Sequence, residues 1–321
     1  MGKTTRKVQI TGGSTFIVSL PPEWVKRNGI TKGSEISISD DGNDLVISSS
    51  NPDLPEVSKK IIIPPNYTGK PLQRLLTSSY ISGFDTLSIV SKEKMGSELR
   101  DDIKRFSKVV MGIEIIEETS KSVVLQNVLN VKTFPLSKAI RRMSLNVGTM
   151  IEDTIKAIED YDEELFQNVI ERDDEVDRYQ WYIYREVKNH CQYEDSNVFM
   201  LVLSRILERM ADHTVNICIA MKDRKAVNGR MEMIDNLKFS LDVYNHAVES
   251  FYSKNFKVLD GIINQKSEIN ERKFKLLKIL SYDVVLSSIA EEISRIGLYG
   301  TDIAELAMDL ILSDKLEFSV Q

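Results

Sequence analysis

Cysteine is almost missing from this chain of 321 residues, which has only Cys191 and Cys218. Two cysteines in separate stretches make neither a disulfide framework nor a zinc-type spacing, so a reducing compartment fits best. Proline is scarce where helices would need it scarce: all eight prolines lie at or before Pro135, and none interrupts 136–321. Long apolar runs are lacking as well. No stretch approaches the about eighteen apolar residues that cross a bilayer, and the opening MGKTTRKVQI has no apolar centre of the kind a secretion signal needs. A cytoplasmic protein, not integral to a membrane, is expected. Motifs of the commoner enzymes are missing too. Thr11-Gly12-Gly13-Ser14 is not followed by Gly-Lys-Thr or Gly-Lys-Ser, and no G-x-S-x-G elbow occurs. His190, His213 and His246 follow Val187, Met210 and Val243 by three places, so the Glu-x-x-His pairs of di-iron bundles are not formed. No base, nucleophile or histidine constellation is left to carry catalysis, and the chain is expected not to be an enzyme.

With 42% hydrophobic and 28% charged residues the chain is ordered, and its length suits two or three domains. The spacing predicts a multidomain α+β protein. Val8–Ile10 and Phe16–Leu20 flank one turn, Glu35–Ser39 and Leu45–Ser49 flank another at Asp40-Asp41-Gly42-Asn43, and Pro21–Gly29 between them reads as a short helix. Two hairpins and one helix, over 1–52, are too little for an independent core, so this module is expected to dimerise. Asn51–Pro55 reads as a linker. Short β-runs alternating with helical ones over 56–132 predict a small α/β domain. Beyond Pro135 the pattern becomes long and amphipathic: six helices are expected near 136–160, 163–191, 196–223, 231–254, 256–280 and 284–312, a bundle over 136–314.

Those helices form two sets of three, 136–223 and 231–313, that share a pattern. Ser204–Ile217 aligns with Ala290–Ile303, matching Arg209 to Arg295 and Asn216 to Asp302; Val169–Asp177 aligns more weakly with Ile262–Asn270. In the third helix Glu208 and Asp212 stand one turn apart on one face, with Leu201, Val215 and Ile219 beside them. Apolar residues on both sides predict a buried helix, and buried carboxylates need a positive partner. Asp173 and Asp177 repeat the i,i+4 spacing on the preceding helix. Four carboxylates on antiparallel neighbours suit hard cations such as magnesium, manganese or iron, although paired acids also suit a solvated face and Arg205 or Arg209 could neutralise Glu208 and Asp212.

Glu208-Arg209-Met210-Ala211-Asp212-His213-Thr214-Val215-Asn216-Ile217 resembles the signature helix of the PhoU family, an E-R-x-x-D-x-x-x-N-I pattern with repeated carboxylate pairs. The resemblance spans about 136–312. It implies two three-helix repeats that bind metal, with Asp173, Asp177, Glu208 and Asp212 as ligands of a divalent or trivalent ion: iron, manganese, magnesium or zinc. In the second repeat the corresponding positions are Lys266, Asn270, Ser294 and Leu298, so one metal site, in the first repeat, is expected.

The net charge of −6 excludes polyanion binding by the whole surface, but its distribution is uneven. Up to Lys32 there are Lys3, Arg6, Lys7, Lys26, Arg27 and Lys32 against the single acid Glu23, a local excess of +5. Lysine and arginine contacts to phosphate supply most non-specific DNA affinity. The order Arg6-Lys7-Val8, Leu20-Pro21, Lys26-Arg27, Gly29-Ile30, Lys32-Gly33 resembles the AbrB/SpoVT swapped-hairpin family, which implies an interlaced dimer with Arg6, Lys7, Lys26 and Arg27 on DNA. Fused to a PhoU-like bundle, it resembles archaeal phosphate uptake regulators and implies a metal-binding regulator of phosphate uptake that acts on transcription. The alternative is an adaptor that docks on a phosphate transporter or signalling protein such as a kinase, its N-terminal module serving only to form the homodimer.

Overall fold

The computed structural model describes residues 5–40, 45–49, 57–129, 134–190 and 195–313. Contacts divide the chain into two units, Met1–Ser58 and Lys59–Gln321. In the first, β1 (Gln9–Thr11) and β2 (Thr15–Ile17) pair antiparallel with Gln9 opposite Ile17. The three-residue turn Gly12-Gly13-Ser14 joins them, with Gly12 and Gly13 at the positive φ that glycine adopts without strain. The helix α1 (Pro22–Arg27) has proline at its start, Glu23 in its first turn and Lys26 and Arg27 in its last, each suited to the helix dipole. A second hairpin joins β3 (Ile36–Asp40) to β4 (Leu45–Ser49); of the turn expected at 40–43 Asp40 ends β3, while the rest of it and the linker expected at 51–55 lie outside the described residues. None of the described side chains of this unit is buried, and Phe16 is 70% exposed. Within this unit the described apolar side chains stay open to solvent, the condition that predicted a partner.

The second unit opens with β5 (Ser58–Ile62), α2 (Gly69–Ile81), β6 (Thr86–Val90), α3 (Ser97–Val109), β7 (Ile113–Glu118) and β8 (Ser122–Asn127). Its four strands are ordered β5-β6-β8-β7, with β8 antiparallel to both neighbours and a bulge in β7 between Ile115 and Glu117. Alternation puts Leu87 and Ile89 of β6 and Leu125 of β8 on the face that α2 and α3 cover with Leu72, Leu76, Tyr80, Leu99 and Ile103.

A larger core belongs to the helices α4 (Leu136–Asp160), α5 (Glu163–His190), α6 (Asp195–Met221), α7 (Arg230–Ser253), α8 (Leu259–Ile263), α9 (Gln265–Leu280) and α10 (Val284–Ser313). Cys191 lies outside the described residues. The fifth expected helix, 256–280, is broken. A 3-10 turn at Phe256–Val258, where Asn255 accepts from the Lys257 N–H, leads into the short α8, and α9 starts only after Asn264. α4 ends because Tyr161 turns left-handed at φ 52°. α10 lies close against α7 through two glycines: a Cβ on Gly300 would stand 3.0 Å from Val243 Cγ1 and 3.2 Å from the Tyr244 nitrogen. Gly300→Ala is therefore expected to cost about 1–3 kcal/mol in urea unfolding, the reverse of the gain of about 1 kcal/mol usual in an exposed helix.

One charged side chain joins α2 and the loop after it to the bundle. Arg185 of α5 is 2% exposed. Its guanidinium donates to the carbonyls of Tyr80 at 3.1 Å and Phe84 at 2.6 Å, and lies over both rings. Its Nε stands 3.4 Å from Glu186 Oε1. A turn later, Asn189 donates to the carbonyl of Ile81 at 3.1 Å.

Candidate metal centre and nucleic-acid interface

Asp173 and Asp177 stand one turn apart on α5 and Glu208 and Asp212 one turn apart on α6, close enough for the two pairs to act on each other, with Asp177 also at the edge toward α2 and α3. Asp173 and Asp177 are half-buried and Glu208 keeps only 14% of its side chain exposed, but Asp212 is exposed. Ile219, expected to help bury that face, is 58% exposed. The site thus sits at the margin of the bundle, not inside it.

Local cations do little to neutralise it. Arg205, mostly exposed, reaches Glu208 Oε1 at 3.2 Å, while Glu208 Oε2 is buried with no hydrogen-bond partner. Arg209 turns away to the Tyr299 hydroxyl, and Arg172 is held by Asp153 of α4 at 2.9 Å. The charges therefore act on one another. Burial first, then Asp212, Asp174 and Glu208, push Asp173 up to about 6. Burial first, then Asp173, Glu208 and Asp212, push Asp177 up to about 7. Glu208 is raised by burial and by Asp212, against the opposing pull of Arg205 and Arg209. Among the described residues no three His, Cys, Asp or Glu side chains are drawn in closely enough to ring one metal ion. The donor set still fits a hard cation chemically: four carboxylates on adjacent helices, one of them with its buried oxygen orphaned.

The rest of the signature serves another purpose. His213 Nδ1 lies 2.5 Å from Glu292 Oε2 of α10, and Asn216 donates to the same oxygen at 3.3 Å. With the Arg209 contact to Tyr299, these tie the first repeat to the second, a role that sequence spacing did not disclose. In the second repeat Lys266 stands 2.5 Å from Glu305 and 3.9 Å from Asp302, so an ammonium lies at the position matching Asp173. Asn270 donates to the Lys266 carbonyl and Ser294 to that of Glu291. Lys266→Gln is expected to cost less than about 1 kcal/mol in urea unfolding, because the pair is half-exposed.

The helical part is similar to known proteins. Residues 140–221, from α4 to the end of α6, match the PhoU domain model. The match to the PhoU domain is thus confined to these three helices. The crystal structure of the phosphate transport system regulatory protein PhoU from Streptococcus pneumoniae matches with a TM-score of 0.50 and 15% identity, over 59% of this chain and 99% of that one. PhoU from Pseudomonas aeruginosa matches with a TM-score of 0.52 and 16% identity, over 57% and 99%. At such identity these structures establish the PhoU fold. No protein of curated function matches the sequence significantly. At the other end, residues 9–54 match the model of MazE, a bacterial antitoxin that recognises its toxin, so the N-terminal module is MazE/AbrB-like. Its Arg6, Lys7, Lys26 and Arg27 are all exposed, and none makes an ion pair among the described residues. No helix among the described residues is long and apolar enough to cross a membrane.

Proposed function

We propose that this chain is a non-enzymatic, cytoplasmic regulator of inorganic phosphate uptake, in which the PhoU domain holds a metal ion and the N-terminal module dimerises on DNA. The observation that carries the proposal is one chain joining a PhoU domain, with four mutually repelling carboxylates, to a MazE/AbrB-like module whose four cations make no ion pair among the described residues. The metal is divalent or trivalent: iron, manganese, magnesium or zinc. Asp173, Asp177, Glu208 and Asp212 would hold it, and its charge would relieve their repulsion. Arg6, Lys7, Lys26 and Arg27 would meet DNA phosphates, doubled in number by a second copy.

A mobility-shift assay on fragments recovered by chromatin pull-down from phosphate-starved cells tests the DNA half. A retarded complex is expected to survive about 150 mM salt and to weaken when Arg6→Ala and Lys26→Ala are combined, because each lost phosphate contact lowers both affinity and salt slope. No complex even at low salt would leave an adaptor that docks on a transporter or kinase.

A further inference from the structure

The second unit contains a cleft of about 590 Å³ between α2, α3 and α5. Its walls carry opposite charges. Lys70 and Arg74, one turn apart on α2, and Arg105 of α3 line one side; Asp174 and Asp177 of α5 line the other, with Trp181 one turn beyond. Cations and acids that come within about 4 Å of one another form ion pairs. Here they do not: Lys70, Arg74, Asp174 and Asp177 make no ion pair among the described residues, and Arg105 has only a 3.3 Å contact with Asp102 of its own helix. Asp102 is buried and is itself fixed by accepting from the Gly69 N–H at 2.7 Å, at the start of α2. Through that carboxylate Arg105 is oriented relative to α2 and the other two cations.

We propose that this cleft binds a nucleoside polyphosphate chelated to a metal ion. The phosphates would lie against Lys70, Arg74 and Arg105, which between them offer charge and directed donors. The chelated cation would face Asp177, so the proposal rests on the reading of Asp177 as a metal ligand. Without a cation, Asp174 and Asp177 would repel the anion that the opposite wall attracts. The base would stack on Trp181, which packs at the edge of the middle core and has no ring or cation stacked on it among the described residues. Size separates this ligand from free inorganic phosphate. The volume lies within the range of about 300–1,000 Å³ typical of small-molecule and cofactor sites, whereas orthophosphate could engage only one wall.

Trp181 supplies the test, since Trp24 is the chain's only other tryptophan. Full-length protein carrying Trp24→Phe is titrated with ATP, AMP or inorganic phosphate, in magnesium or in EDTA, while Trp181 fluorescence is followed. The expected result is a saturable change with magnesium and ATP, at least about tenfold weaker binding of AMP or of ATP in EDTA, and no saturable change with inorganic phosphate. Lys70→Gln with Arg74→Gln, both exposed positions, should weaken ATP binding at least about tenfold without altering the melting temperature or metal content. A metal-loaded protein whose Trp181 ignores ATP, or equal affinity in the double variant, would overturn the proposal and leave the metal centre standing. ATP binding that depends on Lys70 and Arg74 but is equal in EDTA, in a protein that takes up no metal, would overturn the cation bridge and the metal reading together.

Discussion

Arg185→Ala should lower stability by about 3–5 kcal/mol, because it strands buried polar groups that the guanidinium now satisfies. The carbonyls of Tyr80 and Phe84 would lose their charged donor, and Glu186, 3% exposed, its neighbouring charge. Two aromatic rings would lose the cation between them. Because these contacts join α2 and the loop after it to α5, urea unfolding followed by near-ultraviolet circular dichroism should show this aromatic packing loosening first. Replacing both members, Arg185→Met with Glu186→Met, should recover part of the loss, since an apolar pair leaves no uncompensated charge. A single variant within about 0.5 kcal/mol of the parent would mean that the packing of α2 on α5, not the buried arginine, holds the two parts together.

The second large effect is a pH dependence that runs opposite to ordinary acid denaturation. Asp173 and Asp177 have folded values of about 6 and about 7, above the ordinary aspartate range. Below the unfolded value both states hold the proton, and no penalty arises. As pH rises through the folded values, the fold must give up protons that it holds more tightly than the unfolded chain does, so stability falls. Metal-free protein should therefore be more stable at about pH 5 than at about pH 8 by this contribution. Full desolvation would make the difference several kcal/mol; with both carboxyls partly open to solvent, screening reduces it to about 1–2 kcal/mol. Asp173→Asn with Asp177→Asn should remove most of that slope and make the metal-free protein more stable at the higher pH. Adding metal should reverse the ranking there. A ligand at a hundred times its dissociation constant stabilises the folded state by about 2.7 kcal/mol, and under the proposed metal reading the parent protein takes it up and the variant does not. Equal slopes in parent and variant would show that the repulsion among these carboxyls is not what sets the pH response.

Much of this architecture could be read from residue order. The proline-free stretch after Pro135 and its apolar periodicity predicted the bundle, and the Arg209 and Asn216 matches predicted two related sets of helices. The i,i+4 acids were legible because helix geometry alone puts them on one face. Other features depend on partners distant in sequence. Arg185 looks like any helix-surface arginine until α2 folds beneath it, about a hundred residues away in the chain. The apolar neighbours of Glu208 suggested a buried face, but Ile219 and Asp212 lie at the bundle's edge, a distinction that periodicity does not make. The break at Asn264 was missed because no proline marks it. Lys266 was legible as a departure from the acidic pattern; its pairing with Glu305 is what the structure adds.

The claim that Asp173, Asp177, Glu208 and Asp212 form one metal centre, matched in the second repeat by a lysine, is tested most directly by elemental analysis of the purified full-length chain. The parent protein is expected to carry bound metal. Combined Glu208→Ala and Asp212→Ala should abolish it, while Lys266→Gln should retain it in full. Equal metal content in the parent and the Glu208→Ala, Asp212→Ala variant, with both folded, would contradict the account.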